Sequence, residues 1–331
     1  MKVFIAGGSG AIGLRLIPQL IADGHEVTAM TRSEGKRSVV QERGAQAVLG
    51  DALDRGSVMQ AVMRAEPQVV INQLTALTGA TNIKHFDRVF ALTNRLRTEG
   101  TDHLLEAARA AGARRFIVQS YANWTYERRG GPIKTENDPF DPDPPSEQTE
   151  SLRAIRHLER AVLEDDGVEG IVLRYANFYG PGTSYAADGV ITTMVRKRRF
   201  PVVGDGAGIW SFVHIDDAAA AAAAAVQRGG PGVYNVADDE PAPAAEWLPA
   251  LAAALGAKPP RHVPVWLGRV AIGEVGVSMM TRIRGISNAK ARRELGWTPA
   301  HPSWRQGFRA ISDDDAGPSI DRPRQGAGHR S

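Results

Sequence analysis

Short apolar runs alternate with helical spacings along the first half of the chain. KVFIA gives way to GLRLIPQLIADG, and HEVTAM, AQAVLG, RGSVMQAVMRA and QVVINQL continue the series. The β-rich runs predict strands and the stretches between them predict helices. Strand and helix in turn predict a parallel sheet with helices on both faces. A helical pattern from about His85 to Ala111 then leads into RRFIVQS, the next strand.

The segment from Glu127 to Glu147, ERRGGPIKTENDPFDPDPPSE, is rich in proline, glycine and charge, which excludes regular structure over most of it. A loop that long inside a domain is usually a lid, a binding loop or disorder. Beyond it, TESLRAIRHLE opens a helix running to about Leu163, with Leu152, Ile155, Leu158, Val162 and Leu163 spaced as one buried stripe. The strand GIVLRY precedes ANFYGPG, after which the pattern is less regular: RRFPVVGDGAGIWSFVHIDD, an alanine-rich helix from Asp217 to Gln227, the strand GVYNVA, a helix near Pro243 to Leu255, and SNAKARRELGWTP. Alanine is the best helix former, so the alanine run predicts a packed helix. The organisation expected is α/β: a Rossmann-like, doubly wound parallel sheet over 1–175 and a smaller C-terminal α/β substrate part over 176–311, interleaved with it. The polar, Gly/Pro-rich composition of 312–331 predicts a disordered tail.

Composition narrows the function classes. With no cysteine in 331 residues, disulfides, thiolate metal sites and cysteine nucleophiles are excluded, and a cytoplasmic location is the default. Met1 leads directly into KVFIA, so no signal peptide is expected, and no apolar run reaches membrane-spanning length. A net charge of +3 is too small to predict a nucleic-acid partner. No metal site is expected either. His214, Asp216 and Asp217 are neighbours in FVHIDD, but strand alternation sends adjacent side chains to opposite faces, and no matching ligand set stands elsewhere.

VFIAGGSGAIG places Gly7, Gly10 and Gly13 between the first strand and the first helix. Gly7 allows a tight turn, Gly10 lets backbone amides approach a pyrophosphate, and Gly13 lets the helix pack close to the sheet. The helix N-terminus adds amides and the positive end of a dipole. The second strand ends in AMTRSEG, where a carboxylate selects NAD and an arginine accommodates the 2′-phosphate of NADP. Thr31 and Arg32 stand there, with Ser33 and Arg37 nearby, so NADP is favoured and NAD is possible. Asp51 in LGDALD either accepts a bond from the adenine amino group or caps the next helix.

These motifs, in order with AARAAGARRFIVQS, LRYANFYGPG, GDGAGIWSFVHIDD, YNVADDEP and ARRELGWTP, resemble the extended short-chain dehydrogenase/reductases, also called the NAD-dependent epimerase/dehydratase family. The resemblance covers roughly residues 1–311. It implies a Rossmann domain binding NAD(P), with the cofactor touching Gly7, Ser9, Gly10, Ile12 and Gly13, then Arg32, Asp51 and Ala52, the strand end at Leu74, Thr75 and Ala76, and the backbone around Asn177 and Phe178. It also implies a homodimer paired through two long helices per subunit. In the family, the helix after the long loop carries Tyr-x-x-x-Lys, in which the Tyr moves the proton while the Lys lowers its pKa and holds the nicotinamide ribose. Glu159 suits the glutamate common four residues after that Lys, and counting back puts Ser151 and Ile155 where the pair would be. The chain thus resembles an atypical branch, with the dinucleotide site kept and the catalytic pair missing.

A serine without an adjacent base is a poor acid or base near neutral pH, so another hydroxyl must serve in any enzyme. Ser120 in VQSYANWTY matches the family's serine or threonine after the fifth strand, unless a two-residue shift puts Ala122 there. Tyr121 and Tyr126 follow the same strand, where the loop should border the nicotinamide pocket, and Tyr179 is expected on the opposite wall, toward substrate. Sugar-nucleotide members tend to carry an arginine where Trp210 stands. Trp210 reads as an aromatic wall for a less charged substrate, or as core. The function expected is an NADP-preferring oxidoreductase acting on a carbonyl or hydroxyl of a small organic substrate. An NADP(H)-sensing binding protein, and a sugar-nucleotide epimerase or dehydratase with relocated groups, are the alternatives.

Overall fold

The computed structural model describes residues 1–77 and 83–311, so the tail assigned to 312–331 lies outside the described residues. Seven parallel strands form the main sheet: β1 (Lys2–Ala6), β2 (Glu26–Thr31), β3 (Gln46–Leu49), β4 (Val69–Asn72), β5 (Arg115–Tyr121), β6 (Glu169–Tyr175) and β7 (Gly232–Val236). Their order is β7-β6-β5-β4-β1-β2-β3. The winding reverses between β1 and β4, and such sheets bind ligands in the crevice beyond the carboxyl ends at that point.

Helices α1 (Gly13–Ala22), α2 (Arg55–Ala65), α3 (Phe86–Arg95), α4 (Thr101–Ala110), α5 (Thr149–Leu163) and α6 (Ile215–Gln227) flank the sheet. Strand alternation decides which partners each residue meets. Val3 and Ile5 pack with α1 and α6 on one face, whereas Phe4 and Ala6 pack with α2, α4 and α5 on the other. Because both faces are covered, the strands read as continuous apolar runs. The alanine run is indeed a packed helix: α6 lies against α1.

Three local expectations shift. Leu163 is 41% exposed where α5 ends, and the buried stripe is Leu152, Ile155, Leu158 and Val162. The helix expected over 85–111 runs on without interruption from Phe86 to Ala110 but contains a π turn: α3 ends at Arg95, Leu96–Gly100 forms the turn, and α4 begins at Thr101. The extra residue re-aims the side chains of α4, and such turns recur at functional sites. The long loop is pinned rather than loose, by an Arg128–Asp141 ion pair at 2.6 Å and by buried Lys134, 3.2 Å from Asp138.

Residues beyond 175 return to the sheet, where β7 pairs with β6 and α6 covers α1. The remainder, including α7 (Ala244–Ala254) and α8 (Val265–Thr281), builds a second core rich in Tyr, Trp and Phe. Periodicity does not reveal α8, whose apolar residues run all round its axis and which bends at Gly273. Among the described residues no helix is long and apolar enough to cross a membrane.

Asp238, just after β7, is buried with its Oδ2 unpartnered, and burial, with Glu240 and Asp239 adding to it, raises its pKa to about 8. The folded chain therefore keeps this proton to higher pH than the unfolded chain does. The associated stability is fully present below the ordinary value of 3.8 and is lost as pH rises through about 8. Within that window the slope from this one group is about 1.4 kcal/mol per pH unit. Thermal melts of Asp238→Asn across the same range should show a flatter profile than wild type, and an unchanged slope would refute the assignment.

Candidate active site

The loop from β1 to α1 is shaped by missing side chains. Gly7 has φ +90°, and a Cβ there would stand 2.8 Å from the Gln73 carbonyl oxygen. A Cβ on Gly13 would stand 2.5 Å from the carbonyl oxygens of Gly7 and Gly8, so the start of α1 presses onto the loop. Gly10 differs: a Cβ would meet only the Gly7 oxygen, at 3.2 Å, and otherwise open space. No side chain caps α1 and no acid sits in its first turn, which leaves the amides and the dipole to a bound anion. Loop and helix start together fit a pyrophosphate.

The rim follows from the parallel topology, which puts the carboxyl ends of β1 to β4 along one edge. Ser9 Oγ lies 3.2 Å from Thr31 Oγ1, fastening the loop to the end of β2, and Ile12 is buried. Arg32 is exposed, and its guanidinium makes no hydrogen bond or ion pair among the described residues. Asp51 is not the cap of α2. Asp54 is, accepting from the Gly56 and Ser57 amides at 2.9 and 3.2 Å. Asp51 accepts from the Leu53 amide at 3.0 Å with one oxygen, and the other has no partner among the described residues. Ala52 is buried, its carbonyl 3.0 Å from His103 Nδ1. At the end of β4, the Leu74 amide donates to Asn72 Oδ1 and the Ala76 amide to Thr93 Oγ1, each at 3.1 Å, with Thr75 exposed between them.

The catalytic candidates separate. Ser120 pairs in register with Arg174 and donates to Glu159 Oε1 at 2.6 Å. Glu159 also takes Arg174 Nε at 2.9 Å and Nη2 at 2.6 Å. Arg174 Nη1 donates to the Tyr126 hydroxyl at 2.8 Å, which donates to Asn235 Oδ1 at 2.7 Å. All five residues are buried, and burial pushes the Tyr126 phenol up to about 12. Ser120 and Tyr126 thus belong to a closed network joining β5, β6, β7 and α5, which corrects the expectation that they line an open pocket. Tyr121 stands apart: half-buried at the end of β5, it donates to Asn177 Oδ1 at 2.7 Å, and Asn177 Nδ2 donates to the Ser211 carbonyl at 3.2 Å. Burial pushes its phenol up to about 12 as well. Phe178, next to Asn177, packs against Tyr175 with ring centres 5.4 Å apart.

At the start of α5, Ser151 and Ile155 are both 0% exposed. Asp87 of α3 accepts the Glu150 and Ser151 amides at 2.9 and 2.8 Å and the Ser151 hydroxyl at 2.6 Å, so a carboxylate from the neighbouring helix caps α5. Asn94 Nδ2 donates to Ser151 Oγ at 3.0 Å, and Ile155 packs into the second core with Phe86 and Trp124.

The sequence model of the NAD dependent epimerase/dehydratase family matches residues 3–237. The chain belongs to this family. A relative from a Streptomyces sp named 3-diazoavenalumate denitrifying reductase is 46% identical over 309 residues, covering 93% of this chain and 99% of the relative. UDP-glucose 4-epimerase of Thermus thermophilus, solved in complex with NAD, is 26% identical with a TM-score of 0.73, over 96% of this chain and 100% of that one. A human epimerase family protein solved with NADPH shares the fold at 20% identity and a TM-score of 0.70, over 94% and 99% of the two chains.

In this member of the epimerase/dehydratase family, two residues expected at the substrate lie in the second core. Tyr179 is 0% exposed and its hydroxyl donates to the His301 and Ser303 carbonyls at 3.4 and 3.5 Å, which corrects its placement on a pocket wall. Trp210 donates Nε1 to the Met279 carbonyl at 2.9 Å and packs on Trp247 at 5.0 Å, the core alternative. His214 and Asp217 have a partner that their own stretch of sequence does not show. His301 brings the ligand atoms of all three within 4.8 Å of one another, although it lies 84 residues beyond Asp217. The Asp217 carboxylate is already engaged by the Ala300 and His301 amides at 2.8 and 2.9 Å, and His214 Nδ1 accepts the Asp216 amide at 3.3 Å to cap α6. The trio therefore works as a clasp between α6 and the 300–301 segment.

Proposed function

We propose that this chain is an NADP-preferring reductase whose hydride acceptor does not depend on a Tyr-Lys pair. One observation carries the reading: where the family's pair is expected, Ser151 and Ile155 are sealed, while the glycine cradle stands open. Gly7, Ser9, Gly10, Ile12 and Gly13 would hold the pyrophosphate, Arg32 the 2′-phosphate and Asp51 the adenosine end. Leu74 to Ala76 with Asn177 and Phe178 would hold the nicotinamide end. The bound dinucleotide supplies a hydride.

The acceptor decides what the chain must add. A carbonyl that takes up hydride becomes an alkoxide and needs a proton, and Tyr121 is the half-buried hydroxyl at the strand ends suited to give one. An aryl diazonium needs none: its C–N bond breaks, a C–H bond forms, dinitrogen leaves, and the positive and negative charges cancel. The name of the Streptomyces relative favours this second acceptor, a diazo-bearing small organic acid.

NADPH should bind about tenfold or more tightly than NADH in a fluorescence titration, with Arg32→Ala removing most of the difference. With NADPH, an aryl diazonium carboxylate should give the arene and an equal amount of dinitrogen, faster than without protein. Tyr121→Phe should leave that rate within about twofold while abolishing any ketone reduction. Failure to bind either nucleotide sinks the reductase reading. Loss of diazonium turnover in Tyr121→Phe sinks the proton-free step. Tight NADPH binding without turnover of any acceptor would mark a sensor instead.

A further inference from the structure

Arg97 lies in the π turn between α3 and α4 and is 7% exposed. An arginine carries five N–H donors, yet among the described residues it makes one hydrogen bond, from Nη1 to Asn94 Oδ1 at a long 3.3 Å. No Asp or Glu pairs with it among the described residues. Burial lowers its pKa to about 10, and the Tyr121 phenol is close enough to act on it. A buried guanidinium without a counterion is costly until an anion joins it. Its Nε and Nη2 donate to no other described residue, so the guanidinium keeps donors for a partner the fold itself does not supply.

The surroundings say what kind of ligand. Phe86, Phe90 and Asn94 follow one another at four-residue spacing along α3, and Arg97 continues the same face. Phe86 stacks on Phe90 at 4.2 Å and meets Trp124 edge-on at 5.2 Å, and Trp124 lies 6.1 Å from Tyr121. Asn94 also holds Ser151, at the head of α5. Phe86 and Trp124 are themselves buried, so the ring surface near the cation that a ligand can meet belongs to the half-buried Phe90 and Tyr121.

We infer that Arg97 binds the anionic group of an aromatic substrate, a carboxylate by the chemistry of its fork, beside Tyr121 at the strand ends where the reductase reading, on which this inference rests, puts hydride transfer. Asn94 steadies the guanidinium from one side and leaves its other nitrogens for a paired grip on two oxygens. Aryl acids are selected over neutral analogues of the same shape.

Binding rather than turnover tests this. Trans-cinnamate and the uncharged cinnamamide are titrated calorimetrically into wild type, Arg97→Gln and Arg97→Lys, each with and without saturating NADP, and NADPH is titrated separately. Wild type should bind cinnamate about tenfold or more tightly than the amide. Arg97→Gln should bind the two alike at the amide's level, and Arg97→Lys should keep part of the preference. NADPH affinity should stay within about twofold across the three proteins. Arg97→Gln should melt no earlier than wild type, since an unpaired buried charge has gone. The inference is overturned if wild type binds neither probe or both equally, or if Arg97→Gln melts early because the cation holds the fold. Weakened NADPH binding in Arg97→Gln with cinnamate unaffected also overturns it, since the cation then serves a phosphate of the dinucleotide. Failure of the reductase reading has a different signature: wild type takes up cinnamate but not NADPH.

Discussion

Glu159→Ala should lose about 3–5 kcal/mol of folding stability, a large part of what a domain of this kind possesses. The cause is what remains behind. Arg174, 5% exposed, would keep its charge without its bidentate partner, and Ser120 would lose the oxygen it donates to at 2.6 Å. Rings on either side soften the loss, because Arg174 also lies 4.4 Å from the Phe140 ring centre and 5.1 Å from that of Tyr126. Glu159→Gln keeps the shape and should fall between the alanine variant and wild type. Urea unfolding followed by tryptophan fluorescence reads both, and a wild-type midpoint for Glu159→Ala would show that the network contributes little. NADPH affinity of the folded fraction should not change, since none of these residues borders the glycine loop.

Gly10→Val should do the reverse, weakening NADPH binding by about a hundredfold or more, roughly 2.7 kcal/mol, while the melting temperature moves little. The position has a backbone that other residues adopt and room for a Cβ once the Gly7 oxygen, 3.2 Å away, gives by a few tenths of an ångström. The added methyl groups then occupy the side from which an anion approaches the amides. Gly13→Val would be uninformative, because its Cβ collides with two backbone oxygens and the helix itself must move. Direct titration settles the matter: a Gly10→Val protein that binds NADPH as wild type does would remove the cradle from the site.

Much of this was readable from the chain because it is local. The glycine loop and the first turn of α1 are consecutive residues, and the central strands are apolar throughout since both faces are covered. Side-chain direction at the strand ends was not readable. Ser120 and Tyr121 are neighbours on β5, yet one turns to Glu159 and the other to Asn177, and only distant segments decide which. Tyr126 and Tyr179 have the chemistry of pocket residues, yet their hydroxyls are taken up in closed networks, and Trp210 takes the core place that was its alternative. Asp51 and Asp54 both suit a cap, and the geometry of the turn before α2 selects Asp54. The π turn that aims Arg97 leaves no trace in hydrophobic spacing, since an added residue in one turn resembles ordinary helical drift.

The late arrival of β7 and α6 constrains how the protein can be made. Until residues 215–236 leave the ribosome, β6 is a raw edge with unpaired amides, and the flank of α1 that α6 covers is open. Sheet and first helix are thus completed by residues from the second half of the chain. A nascent chain halted near Tyr175 would expose that strand edge until the second half of synthesis supplies β7.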